Sequence, residues 1–198
     1  MPGDHAVGRS IKKAVFPVAA VMVLLLAGLI YWKAAASFPF AFTADTDGNG
    51  QEETYRLDHH RVYVYQDDEL LWESPAEWKV THLLLADADH DGQEEILMVL
   101  WKRGSFGSSR PMWLEGPDND NSNHLFMYRL TSGRMKSVWC SSAIAYPILD
   151  LQVIDQDEDG KLELLVTEGP PTGVLYSLRK QFYRNQTLWQ WQDWGFMR

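Results

Sequence analysis

The string D-x-D-x-[DN]-G-x-x-E occurs three times in the chain without gaps: "DTDGNGQEE" from Asp45, "DADHDGQEE" from Asp87 and "DQDEDGKLE" from Asp155. Aspartates at alternate positions ahead of a glycine describe a tight turn with converging side chains, and helix or strand cannot continue through them. Three in-frame copies mark an internal repeat, so each acidic loop must belong to its own structural unit.

The flanks say what kind of unit. Short apolar runs precede the loops, "FPFAFTA", "VTHLLLA" and "LDLQVI", and "TYRL", "EILMVLW" and "LELLVT" follow them. Their lengths, their β-branched and aromatic content and their lack of a helical period read as strands. A second hairpin follows in each unit. The segments are "RVYVYQDDELLWES" with a turn at Asp67 and Asp68, "HLFMYRLTSGRMKSVW" with a turn at Thr131 to Gly133, and "GVLYSLRKQFYRNQTLWQW" with a longer link. Strand, acidic loop, strand, strand, turn, strand is the make-up of a four-stranded propeller blade. The expectation is an all-β domain over 38–198, in units of about 38–78, 79–145 and 146–198. Residues 102–123, rich in Gly, Ser, Pro and Asn, read as an insertion in the second unit.

The loops carry the chemistry. Calcium takes about six to eight oxygens, and loops that hold it set side chains at alternate positions around a glycine-opened turn. The side-chain ligands would be Asp45, Asp47 and Asn49, then Asp87, Asp89 and Asp91, then Asp155, Asp157 and Asp159. An EF-hand would place an acid at position 12, where this chain has Arg56, Met98 and Val166. The acid comes at position 9 instead, as Glu53, Glu95 and Glu163, where a strand leaving the loop can present it back to the ion. The position 7 carbonyls of Gln51, Gln93 and Lys161 would stand beside it. "DNDNS" from Asp118 lacks both the glycine and the later acid and reads as plain loop.

These features resemble the FG-GAP or VCBS type repeat of integrin α-chain-like β-propellers. The third unit is most similar, with "VIDQDEDGKLELLVTEGPPTGVLYSL" matching a calcium loop, an apolar strand, a Gly-Pro corner and an aromatic-bearing hairpin strand. The resemblance covers most of 38–198 and implies Ca²⁺ ligands at the positions named above. The first two units lack the Gly-Pro corner. Three units also fall short of the about four to eight blades of a propeller. Self-association, or a protein partner that completes the ring, is therefore expected.

The N-terminus points to export. The uncharged run "AVFPVAAVMVLLLAGLIYW" from Ala14 to Trp32 suits a bilayer core, which takes about 20 helical residues. Arg9, Lys12 and Lys13 precede it and would keep residues 1–13 cytoplasmic. The reading is a signal-anchor at 14–33, a linker at 34–37 and an extracytoplasmic domain beyond. The alternative is cleavage after Ala36 at "AAAS" and secretion. The whole chain has a net charge of −9, and residues 1–36 carry +3 (Arg9, Lys12, Lys13 and Lys33 against Asp4). The part beyond this cationic segment therefore carries −9 − 3 = −12, which suits cation binding and argues against nucleic acid. Cys140 is the only cysteine, so the chain cannot form an internal disulfide.

Other chemistry is thinly represented. His59, His60, His82, His90 and His124 show no zinc spacing, and His90, at a variable loop position, is expected to face water. No G-x-S-x-G is present, and Glu115, Asp118 and Asp120 are the clustered acids of the insertion, so a binding module is favoured over an enzyme. The nine tryptophans offer a second reading. A carbohydrate-binding or carbohydrate-active protein would use the 102–123 insertion with Trp101 and Trp113 exposed beside it.

Overall fold

β-Branched and aromatic residues at alternate positions, broken by turn formers, produce strands throughout residues 40–107, 110–172, 176 and 182–198, which the computed structural model describes. The first sheet holds β1 (Phe40–Ala44), β2 (Glu53–Asp58), β3 (Arg61–Gln66) and β4 (Glu69–Glu73). The second holds β5 (Lys79–Ala86), β6 (Glu95–Arg103), β7 (Asn121–Thr131) and β8 (Arg134–Cys140). The third holds β9 (Ile148–Ile154), β10 (Glu163–Glu168), β11 (Asn185–Gln192) and β12 (Gly195–Met197). Each sheet is an antiparallel meander in chain order, and each acidic loop joins its first two strands.

Backbone handedness fixes the hairpins. Asp67 and Asp68 have φ of 46° and 66°, and Ser132 and Gly133 have 51° and 70°. Two successive left-handed residues match the right-handed strand twist, so both two-residue turns hold tight registers. His59 and His60, at 47° and 67°, make a third such turn between β2 and β3.

Two expectations are corrected. The last hairpin of the third sheet is not formed by "GVLYSL" with "TLWQW": Tyr176 has helical backbone, and β11 pairs with the short β12 after it, Trp191 opposite Phe196. The reason is packing, because a Cβ on Gly195 would lie 2.6 Å from Trp139 Nε1, and only glycine lets "GFM" close that edge. The insertion is also shorter than 102–123. Lys102 pairs with Ser122 and Arg103 with Asn121, which leaves 104–120 as the connection.

The core explains why β6 is apolar without alternation. Ile96, Met98 and Leu100, with Phe126 from β7, pack on Tyr55, Val62 and Val64 of the first sheet. Leu97 and Val99, with Leu125 and Met127, pack on Leu151, Leu164, Val166 and Trp189 of the third. The second sheet is thus the middle layer, covered on both faces. Burying each such side chain contributes about 1.5–3 kcal/mol, so β6 and β7 hold the stack together. Trp139, Trp191 and Phe196 meet edge to face at 5.1–6.3 Å at its margin. Trp139 and Trp191 are half-buried and pack against the edge of the core.

A second repeated device follows the fourth strand. Ser74 N donates to Val62 O at 2.9 Å while Val62 N donates to Ser74 Oγ at 3.0 Å. Ser141 and Leu125 repeat the exchange at 3.0 Å for both bonds. Trp72-Glu73-Ser74 and Trp139-Cys140-Ser141 are therefore equivalent W-x-S strand ends.

Among the described residues no helix is long and apolar enough to cross a membrane. The tail at 1–13, the apolar segment at 14–33 and the linker at 34–37 lie outside the described residues.

Candidate metal sites

Each loop is built by the same bonds. The glycine N–H reaches back to the first aspartate: Gly50 to Asp45 Oδ2 at 2.9 Å, Gly92 to Asp87 Oδ2 at 3.0 Å and Gly160 to Asp155 Oδ2 at 3.0 Å. Glycine is required there because φ is 85°, 89° and 85°. The position 9 glutamate then ties the loop to the second strand. Thr46 N donates to Glu53 Oε2 at 2.9 Å, Ala88 N to Glu95 Oε2 at 3.1 Å and Gln156 N to Glu163 Oε2 at 2.9 Å. All three glutamates are buried, with exposures of 0%, 0% and 4%.

This scaffold brings carboxylates together. One oxygen from each of Asp45, Asp47 and Glu53 lies within 4.8 Å of the others, and the same holds for Asp87, Asp89 and Glu95 and for Asp155, Asp157 and Glu163. Each triad could hold a metal ion. The donor set is all oxygen, with neither histidine nor cysteine, and such a set suits hard cations. The remaining expected ligands stand differently. Oδ1 of Asn49, Asp91 and Asp159 accepts the N–H of Gln51, Gln93 and Lys161 at 2.8, 3.0 and 2.8 Å, an Asx turn that rigidifies the loop.

The second loop has an added partner. Arg129 on β7 donates through Nε to Glu95 Oε1 at 2.7 Å and through Nη2 to Asp89 Oδ2 at 3.1 Å, and its Nη1 stands 2.7 Å from Asp91 Oδ2. Its side chain is 14% exposed. Burial pushes the Asp89 and Glu95 carboxyls above the usual range, the negative charge of Asp91 adds to this for Asp89, and Arg129 opposes it for both. For Arg129 burial works the other way, and the bonds to Glu95 and Asp91 outweigh it to raise its affinity for the proton.

The loops also reach their neighbours. Gly133 N, in the β7–β8 turn, donates to Asp47 Oδ2 at 3.1 Å. His90 does not simply face water: its Nε2 lies 3.0 Å from both N and O of Leu162. A polar cavity of about 390 Å³ opens between the second and third loops, lined by Asp89, His90, Asp159, Glu163 and Gln190 among others.

Asp118 accepts Ser105 N at 2.8 Å and Ser105 Oγ at 3.0 Å, bonds that keep its carboxyl below the usual range. Trp113 is 81% exposed, but Trp101 is half-buried and meets Tyr176 edge-on at 5.9 Å. Sequence reasoning missed Arg129, whose only signal is its place opposite Glu95 once the β6–β7 register is known.

Fold and loops together define an all-β domain of three antiparallel sheets, each carrying one acidic loop able to hold a cation. Comparison with family models, curated proteins and solved structures gives no match.

Proposed function

We propose that this is a calcium-stabilised, propeller-like module, anchored by residues 14–33 with its bulk outside the cytoplasm, that serves protein binding or scaffolding. The observation that carries the reading is the recurrence of one bonding scheme in three loops, each ending with two aspartates and a buried glutamate around one point. A lone acidic turn has no need to bury its glutamate. A blade that uses a cation to lock its first two strands does, and its empty loop sets carboxylates against one another until a divalent ion enters. In this reading the three sheets are blades stacked through the middle one. The outer faces of the first and third remain for a second copy or a protein partner.

Thermal unfolding of the full chain in detergent, with calcium and then with chelator, tests the proposal. Calcium should raise the melting temperature; an unchanged value would remove the metal from the reading. Sedimentation velocity should show a species larger than the monomer, and protease added to intact cells should digest the sheets.

One observation favours a second reading, the exposure of Met112 (96%), Trp113 (81%) and Leu114 (41%) in the 104–120 connection. Such a tip can stack on a sugar ring. A glycan-array signal lost in Trp113→Ala would support it, and an array without signal would leave the scaffold reading alone.

A further inference from the structure

We infer that the second acidic loop carries its own cation, the Arg129 guanidinium, and holds no metal ion, so that calcium binds at the first and third loops only. The inference rests on the calcium reading above and divides it loop by loop.

The strand register places Arg129. Ile96 pairs with Tyr128, so the next residues along, Glu95 and Arg129, face each other across β6 and β7. The corresponding position in the first sheet is Gln66, which pairs with Glu53 and donates to its Oε1 at 3.3 Å. In the third sheet the Leu164–Trp189 pair brings Gln190 to that place. Two loops thus have a neutral amide behind the glutamate. The second has a side chain that is always charged.

Arg129 reaches the oxygens a metal would need. Glu95 Oε1, both oxygens of Asp89 and Asp91 Oδ2 all lie 2.7–3.3 Å from its nitrogens. A calcium ion would draw the same oxygens to about 2.3–2.6 Å, and it cannot share them with a guanidinium at van der Waals distance. Nor can Arg129 swing cheaply into water, since its side chain is 14% exposed and its partner Glu95 is fully buried. The second loop is drawn off the common geometry as well. Asn49 N and Asp159 N donate to Asp45 Oδ1 and Asp155 Oδ1 at 3.0 and 3.1 Å, whereas Asp87 Oδ1 is buried without a hydrogen-bond partner. Asp91 N keeps only its bond to Asp89 Oδ1, at 3.2 Å, which Asn49 N and Asp159 N also make, to Asp47 and Asp157 at 3.2 and 3.3 Å. The loop's charge is met by a fixed side chain, which suits the layer packed on both faces.

The test is ion stoichiometry. The full chain in detergent is stripped with chelator and dialysed against radiolabelled calcium chloride at about 10⁻² M, above the roughly 10⁻⁴–10⁻³ M dissociation constants of extracellular modules. Two ions per chain are expected for the wild type, three for Arg129→Gln, two for Asp89→Asn and one for Asp157→Asn. Three ions in the wild type, loss of one in Asp89→Asn, or no gain in folded Arg129→Gln would overturn the inference and leave the calcium reading standing. No ion on any of these proteins would overturn the calcium reading itself. Should Arg129→Gln fail to fold, the wild-type count with Asp89→Asn still decides.

Discussion

Glu163 is assigned two tasks, and its two truncations separate them. Its Oε2 accepts Gln156 N at 2.9 Å and closes the third loop onto β10, while the carboxylate as a whole belongs to the triad with Asp155 and Asp157. Glu163→Ala removes the acceptor and strands a backbone N–H. A hydrogen bond to a charged group contributes about 1.5–3 kcal/mol, and little is screened here because Glu163 is 4% exposed. At about 2–4 °C per kcal/mol for a domain of this size, Glu163→Ala should melt roughly 3–12 °C lower even in chelator. Glu163→Gln keeps an amide oxygen for Gln156 N, at about half the strength, and loses the charge. It should cost about 1 kcal/mol in chelator.

Calcium then distinguishes the two variants from the wild type. An ion at ten times its dissociation constant adds about 1.4 kcal/mol per site, or roughly 3–6 °C. Both variants should lose one such increment. Differential scanning calorimetry with and without calcium gives all the values needed. If Glu163→Ala matches the wild type in chelator, the closing bond does not hold the loop; if Glu163→Gln keeps the whole calcium increment, the glutamate is not a ligand.

Two further outcomes follow from the interior. Leu97→Ala and Met98→Ala, both at 0% exposure, should each cost about 2–5 kcal/mol, and hydrogen exchange should rise first in the third sheet for Leu97 and in the first sheet for Met98, because they face opposite layers. His124, fully buried with Nδ1 3.0 Å from Ser141 O, has its pKa lowered chiefly by burial. It is neutral when folded and binds a proton more readily when unfolded, so stability is lost as pH falls below about 6.5 toward the folded value. The melting temperature of His124→Gln should fall less than the wild type's between pH 7.5 and 5.5; His82, shifted the same way by burial, keeps part of the slope. An equal fall in both proteins would remove His124 from the account.

What could be read from the sequence was whatever is local along the chain. The acidic loops were legible because Asp, Gly and Glu within nine consecutive positions make nearly all of each loop's bonds, as with Gly92 to Asp87 and Ala88 to Glu95. The strands beside them were legible because a short apolar run between turns has few alternatives. The turn at His59 and His60, with φ of 47° and 67°, was not, because histidine marks a turn more weakly than the Asp and Gly of the other turns, although it too enters the left-handed region. The third hairpin failed for a different reason: "GVLYSL" has strand composition, but the place for β12 is set by how close Gly195 comes to Trp139 of another sheet. Arg129 and Glu95 are 34 residues apart, and no local pattern announces that they meet. The limit is register: side chains that meet across strands are fixed by pairing that hydrophobic patterning specifies only once both partners are known.

The loops do more than bend one chain between two strands. Asp47 of the first loop accepts Gly133 N from the second sheet, and His90 of the second loop holds the backbone of Leu162 at the entry to the third. Each of these loops is fastened to the following sheet, so its rigidity is also the rigidity of the joint between layers. The apolar interfaces resist separation, but area burial is non-directional and does little to stop one sheet from sliding over another. Hydrogen bonds at the loops supply the missing direction. In the proposed reading, unneutralised carboxylates would repel one another and loosen that fastening, whereas a cation, bound or built in as Arg129 is, would keep it. The middle sheet is where sliding would disturb two interfaces at once, and there the neutralising charge is part of the chain.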